Sequence, residues 1–112
     1  MVIDRAKRAL ALAHVLVAGP LERDVYRVAV CAGSGGDFLG DAIASDAQLF
    51  LTGELRHHDA LRAVSSGLTV VCVLHSASER GVLVALERRL AERLPTVSFV
   101  RSRADSEPFV FM

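Results

Sequence analysis

The pattern of apolar and polar positions divides the chain into alternating helical and extended stretches. From residue 3 to about 15, Ile3, Ala6, Leu10 and Ala13 recur at helical spacing, Asp4 lies near the positive end, and Gly19-Pro20 stops the run. This predicts a leading helix. Residues 25–32 (VYRVAVCA) are nearly all apolar and rich in β-branched side chains, as in a central strand. Gly33-Ser34-Gly35-Gly36 forces a tight turn, and residues 37–45 (DFLGDAIAS) read as a short helix with Phe38, Ala42 and Ile43 inward. Residues 48–52 (QLFLT) form a second strand that Gly53 breaks. A helix over 55–65 follows, with Leu55, Ala60, Leu61 and Val64 on one side and Gly67 at its C-cap. Residues 68–74 (LTVVCVL) are the clearest strand.

The longest predicted helix spans 76–94. Leu83, Leu86, Leu90 and Leu94 fall at core spacing, Arg88, Arg89, Glu92 and Arg93 lie on the wet face, and Pro95 ends it. Residues 97–101 read as a fourth strand and 109–112 as a fifth. The order β-α-β-α-β-α-β with short connections predicts an α/β layered domain, with a mainly parallel sheet flanked by helices. Residues 1–24 are then a leading helix and connector, and 25–112 the α/β domain.

Composition narrows the function classes. Thirteen basic residues cancel thirteen acidic ones. The balance holds in each half, with 6 basic and 7 acidic side chains in residues 1–56 and 7 and 6 in residues 57–112. A nucleic-acid binder would carry a basic excess. No apolar run approaches the ~18–20 residues of a membrane span, and charges interrupt the N-terminal apolar stretch, unlike a signal peptide. Cys31 and Cys72 sit in apolar runs, where a thiol serves as a small hydrophobe. These features predict a cytoplasmic protein with neither nucleic acid nor membrane as partner.

Open α/β sheets bind ligands beyond the carboxyl ends of their strands. Three segments lie there: AGSGGD (32–37), TGELRHHD (52–59) and LHSASER (74–80). His75 and Glu79 are four residues apart, so imidazole and carboxylate can share a helix face and converge on Zn, Mn, Fe or Ni. Ser76-x-x-Glu79 is equally a capping-box pattern. His57 and His58 point about 100° apart on a helix, so only one of them faces a given site. Glu54 can orient a histidine as a hydrogen-bond acceptor. The glycine turn reads as a turn needing small residues or as an anion cradle at a helix start. His14, alone on an apolar helix, reads as a packing or surface residue.

Taken together, AVCAGSGGDFLGDAIASDAQLFLTGELRHHDALRA, GLTVVCVLHSASER and LPTVSFVRSRADSEPF resemble the C-terminal half of the Nif-three-like dinuclear-metal-centre proteins. Many members of that family carry the name GTP cyclohydrolase I type 2 homologue. The resemblance implies two related α/β halves, a ring-shaped homohexamer, and a site for two divalent metal ions between the halves. It implies that His75 and Glu79 are metal ligands. It also implies that His58 lines the same cleft as a proton shuttle or substrate contact. Leu74 stands where the family usually has Gly.

The family's other half supplies a His-His pair and an Asp, and residues 1–24 hold only His14. The expectation is therefore half of a dinuclear site, from a fragment or a shortened relative. It would act as a metal-dependent hydrolase on a small molecule only when the other half is supplied. A non-catalytic oligomerising or binding module with a vestigial metal site is the rival expectation.

Overall fold

The computed structural model describes residues 1–112. Four helices and four strands follow in the order α1 (Val2–Ala9), β1 (Leu16–Ala18), β2 (Val28–Ser34), α2 (Leu39–Ala44), β3 (Leu49–Glu54), α3 (His57–Ser65), β4 (Thr69–Cys72) and α4 (His75–Arg93). A single 3-10 turn, Gly36–Phe38, leads into α2. The strands form one sheet in the order β1-β4-β3-β2. β2, β3 and β4 run parallel, and β1 pairs antiparallel with β4, Leu16 opposite Cys72. The mainly parallel α/β sheet expected from the pattern is present.

The sheet buries both faces. Phe50 and Val70 point to one side, where Leu39 and Ala42 of α2, Ala63 of α3 and Leu68 cover them. Leu49, Val71 and Val73 point to the other, against Val2, Ile3, Leu10, Leu12 and Val15. Strand residues alternate between faces, so a continuous apolar run serves two cores.

Three expectations are corrected. The leading helix ends at Ala9, not near residue 15. Ala11 adopts φ 54°, its N–H donates to Arg8 O, and the Leu12 N–H donates to Lys7 O at 2.9 Å. This left-handed helix end frees the chain that follows, and the β-favouring Leu16-Val17 pairs with β4 instead. Part of the expected connector is thus a strand.

Second, residues 97–101 and 109–112 are not strands. The tail runs back along α4, held by side chains. Arg101 pairs with Glu87, Arg80 with Asp105 at 2.9 Å, and Ser76 donates to Glu107 at 2.7 Å. Charges on the tail complement charges on the helix, and this replaces backbone pairing to a sheet edge. Beyond Pro108, the Phe111 ring reaches His14, with centroids 5.1 Å apart. His14 is exposed and packs there, as expected of a surface residue.

Third, the leucine stripe of α4 is not core. Leu83, Leu86 and Leu94 stay exposed, and Leu83, Leu86 and Leu90 form a groove with Phe99 and Val100 of the tail. Ala77 is the one buried residue of α4. The radius of gyration is 16.0 Å, against about 13 Å for a compact chain of this size.

Candidate metal site at the start of α4

β2, β3 and β4 all deliver their carboxyl ends to one place. β3 continues through Gly53 to Glu54, further than the glycine suggested. Gly53 is needed there for its lack of a side chain: a Cβ would lie 2.5 Å from Gly33 O and 3.0 Å from His75 Cα. β2 bulges between Cys31 and Ser34, with Gly33 at φ 71°. The Thr52 hydroxyl donates to the Gly33 carbonyl at 3.2 Å and fixes the bulge against β3. Bulges next to sites re-aim the chain. Here the bulge lays backbone under His75 and Glu79, since a Cβ at Gly33 would meet Glu79 Oε1 at 3.0 Å and His75 Cε1 at 3.2 Å.

β4 enters α4 through Leu74, whose backbone is at φ 72° and ψ 150°. That region is nearly reserved for glycine, and a side chain there is strained. Strain of this kind persists where the surroundings over-determine the conformation. The surroundings here are Val73 N–H bonded to Thr52 O at 3.0 Å and Ser78 N–H bonded to Leu74 O at 3.1 Å.

The result is an imidazole between two carboxylates. His75 Nδ1 lies 3.0 Å from Glu54 Oε1, and His75 Nε2 lies 3.4 Å from Glu79 Oε1. The hydrogen bond to Glu54 and then the charge of Glu79 raise the His75 pKa above its ordinary value. All three side chains remain about half exposed, at 51–52%. The arrangement therefore attracts positive charge and is open on one side.

α4 has no side-chain N-cap. Ser76 points to Glu107 and Glu79 to His75, so the capping-box reading of Ser76-x-x-Glu79 does not describe this helix. Glu54 serves His75, not His57 or His58. His58 lies exposed in the first turn of α3, its ring edge-on to His57 at 5.6 Å, while Glu54 and Glu79 pair with His75 and not with His58. Nearby, Arg56 pairs with Asp59 at 2.9 Å. The glycine turn has internal uses for its amides: Gly33 N–H donates to Ser78 Oγ at 2.7 Å and Gly35 N–H to Glu54 O at 3.3 Å. Cys31 and Cys72 are free thiols that pack against the core, and burial raises the Cys72 pKa. No three His, Cys, Asp or Glu side chains of this chain converge as a complete cation cage.

Sequence reasoning missed Gly33, Thr52 and Ser78 as builders of the site. Their role depends on the bulge and on contacts between distant segments, which spacing along the chain does not encode.

Comparison with known proteins settles the lineage. The profile of Duf34/NIF3 (NGG1p interacting factor 3) matches residues 1–108. The chain belongs to the NIF3 family. It is 41% identical over 111 residues to NIF3-like protein 1 of Homo sapiens, covering 95% of this chain and 29% of that protein. It is 32% identical over 112 residues to a Clostridium perfringens GTP cyclohydrolase 1 type 2 homolog, covering 99% of this chain and 43% of that one. In solved structures, a Bacillus cereus protein related to NIF3 superposes with a TM-score of 0.82 at 27% identity, over 97% of this chain and 31% of that one. The chain thus spans less than half the length of the relatives it matches. No helix is long and apolar enough to cross a membrane.

Proposed function

We propose that this chain supplies one side of a divalent-metal site in a hydrolase-like NIF3 protein, with His75 and Glu79 as ligands. The observation that carries the reading is the 3.4 Å between His75 Nε2 and Glu79 Oε1. Two ligand atoms each about 2.1 Å from a tetrahedral cation stand about 3.4 Å apart. The donor set also fits: imidazole with carboxylate suits Zn, Mn, Fe or Ni. Glu54 on Nδ1 is the carboxylate that fixes the tautomer and orientation of a metal-binding histidine.

Two protein ligands fall short of the three that catalytic sites typically use. The remaining donors, and a second cation, would come from the rest of a full-length relative or from another subunit of a homohexamer. When bound, the cations would lower the pKa of a coordinated water and polarise a substrate bond. Glu54 would hold the His75 ring in place, Gly33 would form a floor without a side chain, and exposed His58 would move a proton or contact a small-molecule substrate. The name GTP cyclohydrolase 1 type 2 homolog among the relatives supports a purine-type substrate only as a starting point for assays.

A second reading rests on a different observation. Leu83, Leu86 and Val82 of α4 and Val30 of β2 are exposed, which suits a non-catalytic oligomerising module. Metal analysis after loading separates the two. The first reading expects bound metal in the protein and little in its His75→Ala form, with His58→Ala retaining metal. Equal metal in the wild type and His75→Ala would overturn the ligand assignment.

A further inference from the structure

We infer that Ser78 is a positioning residue that fastens the floor of the His75–Glu79 site to the helix carrying both groups. Its hydroxyl accepts the Gly33 N–H at 2.7 Å and donates to the His75 carbonyl at 2.6 Å. One oxygen therefore joins the β2 bulge to the first turn of α4, across 45 residues of sequence. The approach is possible because Gly53 lies between them: a Cβ there would stand 3.0 Å from Ser78 Oγ as well as 2.5 Å from Gly33 O. Gly33 is buried, so its N–H depends on a partner within the protein.

Ser78 lies between His75 and Glu79 in the first turn of α4, and its hydroxyl is hydrogen-bonded to backbone on both sides, not to the carboxylates that hold the imidazole. Its effect on the site is indirect. Without the hydroxyl, the Gly33 N–H loses its acceptor and the His75 carbonyl loses a donor. The bulge and the first helical turn are then free to move apart, and the separation of His75 Nε2 from Glu79 Oε1 widens. Threonine keeps the hydroxyl and alanine removes it.

The metal arm of the test rests on the proposed ligand roles; the amide arm does not. Co²⁺ alone is titrated into the protein and its Ser78→Ala, Ser78→Thr and Thr69→Ala forms, followed by shifts of backbone amide signals. Hydrogen exchange of the Gly33 amide is measured on the same samples. Thr69 donates to Pro20 O at 2.7 Å, far from the site in the fold, and its loss is a control for lowered stability alone. The expected result is a Co²⁺ affinity about ten-fold weaker in Ser78→Ala, near wild type in Ser78→Thr and Thr69→Ala, with faster Gly33 exchange only in Ser78→Ala. Unchanged Gly33 exchange in Ser78→Ala would overturn the tether. Faster exchange with unchanged Co²⁺ affinity would overturn the positioning role. If the wild type binds no Co²⁺, His75 and Glu79 do not hold a cation without the missing donors and the metal-positioning role is overturned for this chain, while the tether is still decided by Gly33 exchange.

Discussion

The sheet around Phe50 and the arm formed by α4 and the tail are both rich in large apolar residues, yet they use them in opposite ways. Phe50 is 1% exposed and enclosed by two helices, while Leu83 of α4 is 44% exposed. Both stretches show clear hydrophobic periodicity. The difference is coverage: α2 and α3 close over the sheet, whereas the α4 stripe shares a groove with Phe99 and Val100 of the tail and stays open to solvent. Periodicity identifies a face that avoids water; it does not say what covers that face. The His75 site lies where the two regions join.

The largest expected contrast follows from this difference. Phe50→Ala should cost about 3–5 kcal/mol of stability, and Leu83→Ala less than about 1 kcal/mol, measured by denaturant unfolding. Similar losses at the two positions would mean that the arm is covered in solution.

Glycines sharpen the same comparison. Gly53→Ala should destabilise by about 1–3 kcal/mol, because its Cβ would press on the Gly33 carbonyl and on the start of α4. Gly81, inside α4, has nothing within 4 Å of a built Cβ. Gly81→Ala should therefore stabilise by about 1 kcal/mol through helix propensity alone. A destabilised Gly81→Ala would show that α4 is packed against something in solution.

The smallest effect concerns the tail. The Arg80 hydrogen bond holds the Asp105 carboxyl below its ordinary value of 3.8. A carboxyl lowered in the folded state contributes stability above its unfolded pKa and loses that contribution as pH falls through the lowered value. The Phe111–His14 ring contact, followed by NMR, should persist at mildly acidic pH and fade below about 3.8. Asp105→Asn should weaken it at neutral pH. A contact that persists in Asp105→Asn would show that the tail is held by its apolar residues.

How much of this was legible depends on range. The parallel β-α-β-α-β unit was readable because each strand is short, apolar and bounded by glycine or a charged turn. His75 and Glu79 were readable because helical spacing brings residues i and i+4 together. β1 was not, because a left-handed Ala11, which no propensity favours, cut the predicted helix short. The tail strands were misread because Val97–Arg101 and Phe109–Met112 have strand-like composition, while ion pairs to α4 decide their course. The partner of Glu54 was also hidden, since its carboxylate crosses 21 residues to reach His75.

The central claim is that His75 and Glu79 bind one cation together. Anomalous diffraction from crystals soaked in Zn²⁺ tests it most directly. The account predicts a peak about 2.1 Å from both His75 Nε2 and a Glu79 carboxylate oxygen, with Nδ1 still on Glu54. A peak on His57 or His58 instead, or none near His75, would contradict it.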